Sequence, residues 1–176
     1  MSDHSYYVQP RREWNVGGEW TDAMAHGPFS LQDSLIAYGP DKGAAPLPRS
    51  PAAFGDAAIT CLLGTVDFAD DESVHADHWE CHPDGDEVLC VLEGRLLATV
   101  DRDGATEEAV IGRGQAFIVP RASWHRLRVL EPGRLLFFTP RAGTALRPHD
   151  SAAAGTTDLP KGALLPFPTT RNEVTS

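Results

Sequence analysis

From His78 to Glu87 the chain reads HWECHPDGDE, in which imidazoles and carboxylates alternate with residues of other kinds. Alternate residues of a strand share a face, so His78, Glu80 and His82 are expected to project together while Trp79 and Cys81 point the other way. Imidazole nitrogens and carboxylate oxygens are the usual ligands of divalent cations, and a cation offsets the cost of gathering such groups on one face. Glu87 opens the next apolar run, with Leu89 and Val91 following on its face. A carboxylate leading an apolar stripe belongs at the rim of a closed sheet, where its charge can meet a cation. His125 repeats that arrangement at the head of WHRLRVL, with Leu127 and Val129 behind it. His78, Glu80, His82, Glu87 and His125 are therefore the metal-capable residues of this region. Glu87 is also the predicted proton-moving catalytic carboxylate. His78, the second catalytic candidate, has three readings: a proton shuttle, a fifth ligand, or a hydrogen-bonded barrel residue.

The elements that must position these groups are short. From Ala57 onward the chain runs AAITCLLGTVDF, SVHADHWECH, EVLCVLEG, RLLATVD, EEAVIG, QAFIVP, WHRLRVL and RLLFFTP. Each run is apolar or alternating and closes on Gly, Pro or Asp, as strands do. Reversals are expected at Pro83-Asp-Gly-Asp, Arg102-Asp-Gly, Gly112-Arg-Gly and Glu131-Pro-Gly. Eight strands packed this closely leave no room for crossover helices, so the sheet must be mostly antiparallel and the fold all-β, a jelly roll or related double-sheet barrel. The expected division is an N-terminal arm over 1–56 with edge strands and dimer contacts, the barrel over 57–141 and a C-terminal extension over 142–176. Leu164, Leu165 and Phe167 are the residues of that extension suited to dock on the barrel.

The spacing of the candidate ligands resembles that of the cupins. Glu80-Cys-His82, four residues, Glu87, six residues and Gly94 is similar to the first cupin motif, which usually reads HxH, three or four residues, Glu, six residues, Gly. Gly114-Gln-Ala-Phe-Ile-Val-Pro120-Arg-Ala-Ser-Trp-His125 is similar to the second, G, five residues, PxGxxH. About twenty residues separate the two, the short spacer of that family. The resemblance covers roughly residues 74 to 130 and implies the cupin double-stranded β-helix. In two places the chain departs from the pattern: Glu80 stands where the first His is usual, and Ala122 stands for the Gly of the second motif. The resemblance implies Glu80, His82, Glu87 and His125 as the ligands of one divalent metal ion, and if all four bind, the set carries two negative charges rather than one, which favours harder cations and higher oxidation states. If Glu87 swings away, Glu80, His82 and His125 form a 2-His-1-carboxylate face of the kind used by non-haem Fe(II) oxygenases. Iron(II) is the preferred ion, with Mn, Ni, Co and Zn as alternatives for the same ligands.

A cavity lined by Leu89, Val91, Leu97, Phe117, Val119 and Leu127 is expected beneath the metal, with Arg95, Arg121 and Arg141 near the mouth to hold a substrate carboxylate. Alternation turns Arg126, Arg128, Trp79 and Trp124 away from it. A small, partly apolar organic molecule fits this description. Three functions follow: an oxygenase or dioxygenase, as many similar cupins are; a non-redox isomerase, lyase, cyclase or aminohydrolase; or a binding module without turnover. The chain of 176 residues has a formal charge of −10, which opposes nucleic acid and anionic membranes as partners. The N-terminus lacks the pattern of a signal peptide and no segment is long and apolar enough to span a bilayer, so a cytoplasmic homodimer is expected. Cys61, Cys81 and Cys90 lack CxxC spacing and read as small buried hydrophobes.

Overall fold

A computed structural model describes residues 11–14, 20–23, 28–41, 43–50, 56–102 and 104–149. Among them are eleven strands: β1 (Arg11–Trp14), β2 (Trp20–Ala23), β3 (Ser34–Tyr38), β4 (Ala44–Pro48), β5 (Cys61–Phe68), β6 (His78–Cys81), β7 (Glu87–Arg102), β8 (Ala105–Gly112), β9 (Ala116–Val119), β10 (Trp124–Pro140) and β11 (Ala145–Pro148). Strands β1 and β2 pair with each other, and the other nine form one antiparallel sheet. Its spine runs β11-β6-β10-β5-β3-β4, with β7 joined to β10 and carrying β8 and β9. The fold is all-β and antiparallel, consistent with the jelly-roll barrel that the motifs imply. No helix among the described residues is long and apolar enough to cross a membrane.

Two long strands organise the barrel. The first half of β7 pairs with β9 and its second half with β8, while β10 pairs along its length with β7 and hands its outer side from β6 to β5. The reversal expected at Glu131-Pro132-Gly133 does not end a strand: β10 runs through it with register shifts between Val129 and Leu135. The reason lies in the partner strand. Gly94 adopts φ 79° and faces Pro132 so closely that a Cβ there would overlap the Pro132 carbonyl; a Cβ on Gly133 would likewise overlap that of Glu93. Main-chain pairing on both sides holds β10 together and the local turn chemistry becomes a bulge.

The bulge reverses the alternation of β7. Before Gly94 the odd-numbered Leu89 and Val91 are buried, whereas beyond it the core takes Leu96 and Ala98. Leu97 therefore lies half-exposed and outside the core, contrary to the phase read from the sequence. The core cluster joins Leu62, Phe68, Leu89, Val91, Leu96 and Phe137 with Leu35 and Ala37 of β3. Each such Leu or Phe contributes about 1.5–3 kcal/mol on leaving water.

A second difference falls just before β6. Ser73–Asp77, expected as strand, are instead a 3-10 turn over Asp71–Val74 and the bend after it. Asp70 caps that turn, accepting from the Ser73 backbone N–H at 3.1 Å, and Asp71 accepts from the Val129 N–H at 2.7 Å. Short acidic residues satisfying nearby N–H groups compete with the ladder here. Within the arm expected over 1–56, Ser34–Tyr38 is β3, which pairs with β5; Leu164, Leu165 and Phe167 lie outside the described residues.

Candidate metal centre

Three strands and one loop residue bring the candidate ligands together. Antiparallel pairing of β6 with β10 sets Glu80 opposite His125. His82 is the first residue past β6, with its carbonyl accepting from the Ala122 N–H at 2.9 Å. Glu87 opens β7 after the Pro83–Asp86 turn. One ligand atom from each of Glu80, His82 and His125 lies within 4.8 Å of the others. Glu87 completes the cluster, with Oε2 2.9 Å from His125 Nε2 and Oε1 3.5 Å from His82 Nε2. His82 Nε2 is also 3.7 Å from Glu80 Oε1.

These residues fit a divalent ion. Atoms about 2.0–2.2 Å from a common cation sit roughly 3–3.5 Å from one another, close to the spacings here. His82, His125 and Glu87 are buried, and His82 Nε2 has no hydrogen-bond partner among the described residues. A buried imidazole nitrogen facing two carboxylates without a hydrogen bond is an unmet acceptor or donor of the kind that a cation satisfies. Burial pushes the Glu87 carboxyl up, but the imidazoles of His125 and His82 outweigh it and hold Glu87 far below the usual range. Burial pushes His125 down, and the Glu87 carboxylate outweighs that to raise it.

Two hydroxyls support the ligands, and sequence reasoning missed both. Thr139 Oγ1 donates to Glu87 Oε1 at 2.5 Å in a buried contact. Its signal was present: Thr139 is the polar member of a buried stripe with Leu135 and Phe137. Thr144 Oγ1 lies 3.1 Å from His82 Nδ1. No sequence pattern pointed to Thr144, which follows a turn of small residues.

The ligands open on a cavity of about 90 Å³. Of the expected lining, Leu89, Leu127 and Arg141 are present. Val91 and Val119 are buried in the core instead, Phe117 packs against it, and Leu97 is placed outside by the change of phase at Gly94. Arg95 is exposed and pairs with Glu131 at 3.0 Å. Arg121 is exposed on a separate groove beside Ser123 and Trp124, where its N–H donates to Asp86. Leu62, Val66, Leu135 and Phe137 supply the apolar wall in their place, and His78 lines the cavity with Nδ1 2.8 Å from Asp77 Oδ1.

Arg126, expected to face away, also lines the cavity: its side chain bends back to Ala76 and lies 5.5 Å over the Trp79 ring. Trp79 and Trp124 themselves hold Arg147 between them, at 5.5 and 4.4 Å from the ring centres. Burial pushes the Arg141 guanidinium down, and Glu80 and Glu87 partly restore it. Cys81 is buried and Cys61 and Cys90 half-buried, all three free.

Residues 64–139 match the family model described as Cupin domain. No curated protein matches the chain. Among solved structures, hydroxypropylphosphonic acid epoxidase from S. wedmorenis in complex with fosfomycin aligns at 21% identity over 46% of this chain and 43% of its own, with a TM-score of 0.38. CoII HppE in complex with substrate aligns at 22% identity over 46% and 44%, with a TM-score of 0.38. A point mutant of Bacillus subtilis oxalate decarboxylase OxdC aligns at 19% identity over 52% and 24%, with a TM-score of 0.40. The chain spans less than half the length of each of these three structures.

Proposed function

We propose that this chain, whose residues 64–139 match the Cupin domain model, is a metal-dependent enzyme of the Fe(II) oxygenase type acting on a small organic anion. The observation that carries this reading is the convergence of Glu80, His82 and His125 within reach of one ion, beside a cavity that Glu80 and His125 line together with Leu62, Leu89, Leu135 and Phe137. A divalent ion bound there supplies a Lewis-acidic centre and, in the case of iron, access to dioxygen chemistry.

The protein groups have separable tasks. Glu80, His82 and His125 would hold the ion, and the cavity that Glu80 and His125 line would receive the substrate. Glu80 and Glu87 together would balance a 2+ charge, and Arg141, which lines the cavity near both carboxylates, favours an anionic substrate. Leu62, Leu89, Leu135 and Phe137 exclude water from the apolar body of that substrate. Glu87, held at Oε1 by the Thr139 hydroxyl, is the residue assigned to proton movement, at Oε2.

That same carboxylate favours a second reading, a non-redox isomerase, lyase, cyclase or aminohydrolase in which Glu87 is the base and the ion steadies an enolate. Elemental analysis of the protein purified without a tag, followed by nitric oxide addition to the Fe(II) form, separates the two. Iron occupancy with a nitrosyl signal is the expected result. Tight Zn or Mn occupancy with no nitrosyl signal would overturn the oxygenase reading in favour of the second.

A further inference from the structure

We propose that Thr144 sets the tautomer of His82 and so aims the lone pair of its Nε2 at the metal position, an inference that rests on reading Glu80, His82 and His125 as ligands. Thr144 lies beyond the matched cupin stretch, in the turn between β10 and β11. Its Oγ1 is 3.2 Å from the Pro140 carbonyl, 3.2 Å from the Arg141 carbonyl and 3.1 Å from His82 Nδ1. A hydroxyl has one proton to donate, and carbonyl oxygens only accept. With that proton shared by the two carbonyls, Thr144 meets His82 with an oxygen lone pair. Nδ1 must then carry the imidazole proton.

The consequence falls on the other nitrogen. In the neutral ring a proton on Nδ1 leaves Nε2 as an acceptor. Nε2 is buried with no hydrogen-bond partner among the described residues, and it faces Glu80 Oε1 at 3.7 Å and Glu87 Oε1 at 3.5 Å. Without a cation, the opposite tautomer would be preferred there, because an Nε2–H would point at carboxylates. Reaching it requires the Thr144 hydroxyl to leave both carbonyls and donate to Nδ1. Thr144 thus opposes the tautomer that the carboxylates favour and holds the ring ready for metal.

The turn is anchored on both sides. The Arg141 N–H donates to the Thr60 carbonyl at 2.8 Å, and immediately after Thr144 the strand β11 pairs with β6 from Ala145 opposite Cys81 to Pro148 opposite His78. Thr144 cannot shift relative to His82 without unzipping the strand that carries Glu80. It is a positioning residue acting through His82, as partners of metal-bound imidazoles commonly do.

Thr144→Val keeps the shape and removes the hydroxyl, whereas Thr144→Ser keeps the hydroxyl. Two measurements on the full chain decide the matter: Co(II) affinity with its visible spectrum, and the His82 tautomer of the metal-free protein by nitrogen-15 NMR of the ring. The parent and Thr144→Ser should show the proton on Nδ1. Thr144→Val should lose that preference and bind Co(II) about 10–100-fold more weakly. Equal Co(II) affinity and an unchanged spectrum in Thr144→Val, or a parent ring protonated on Nε2 alone, would overturn the proposal. A parent that holds the proton on Nδ1, a Thr144→Val variant that loses that preference, and no Co(II) binding by the parent would instead overturn the metal reading of the site while upholding control of the tautomer by Thr144.

Discussion

His125 and Glu80 are cross-strand partners, set directly opposite each other by the pairing of β10 with β6. Opposite residues of an antiparallel pair have Cβ atoms about 4.5–5.5 Å apart, which is the reach at which an imidazole and a carboxylate share one cation. Main-chain hydrogen bonds, rather than loop conformation, therefore fix two of the three clustered ligands. Glu80→Ala and His125→Ala should each lose most of the bound metal, measured as ion per chain after dialysis. Full retention in both variants would place the metal elsewhere. Glu80→His, which restores the usual first histidine of the motif, should keep an ion but shift competition from Mn(II) toward the softer Zn(II) and Ni(II).

Thr139 and Glu87 make a buried hydrogen bond between a hydroxyl and a carboxylate. Hydrogen bonds to charged groups contribute about 1.5–3 kcal/mol, and Thr139→Val also leaves Glu87 Oε1 without its donor. Urea unfolding of the metal-free protein should show a loss of about 2 kcal/mol in Thr139→Val and most of it recovered in Thr139→Ser. Equal stability of the valine variant would show that Glu87 does not depend on Thr139.

The metal and a proton compete for His125. Its value is raised above the ordinary 6.5 by Glu87 after burial has lowered it. A raised histidine contributes stability that is complete below its unfolded value and is lost as pH rises through the folded one. Glu87 is depressed, so its contribution is present above the ordinary 4.5 and lost only as pH falls through the folded value. The metal-free protein should thus lose melting temperature as pH rises beyond the raised histidine value, and the loaded protein should not. Calorimetric titration at pH 6.5, in buffers of different ionisation enthalpy, should report more than half a proton released per ion. Binding without proton release would remove His125 from the ligand set.

Ala122 sits at φ 61°, in the left-handed region, at the position where the second motif usually has glycine. A side chain there costs about 1–2 kcal/mol, while glycine in the unfolded chain costs about 0.5–1 kcal/mol. Ala122→Gly should raise stability by roughly 0.5–1 kcal/mol and leave metal content unchanged, as thermal unfolding and elemental analysis will show. A destabilised variant would mean that the Ala122 methyl makes a contact worth more than the strain it bears.

The fold and the grouping of the four candidate ligands were legible because both rest on local features, namely alternation, turn residues and motif spacing. What escaped was set by distant parts of the chain. The contact between Gly94 and Pro132 shifts the phase of β7, so Leu96 replaces Leu97 inside. Asp70 and Asp71 turn Ser73–Asp77 away from strand through hydrogen bonds to Ser73 and, across the sheet, Val129. Arg126 lines the cavity while its guanidinium turns to the Ala76 carbonyl and the Trp79 ring, a placement that alternation does not reveal. Thr144 approaches His82 across 62 positions of sequence.

Strand β11 covers the side of β6 that β10 leaves open, pairing with all four of its residues. A chain cut to the matched residues 64–139 would keep Glu80, His82, Glu87 and His125 yet strip β6 of that cover. Its bare N–H and C=O groups would then form an open sheet edge, the kind of template on which chains join into aggregates. Strand β11 takes the edge in place of β6 and closes on Pro148, which has no N–H to offer a neighbour, and solubility is the property that its removal would affect first.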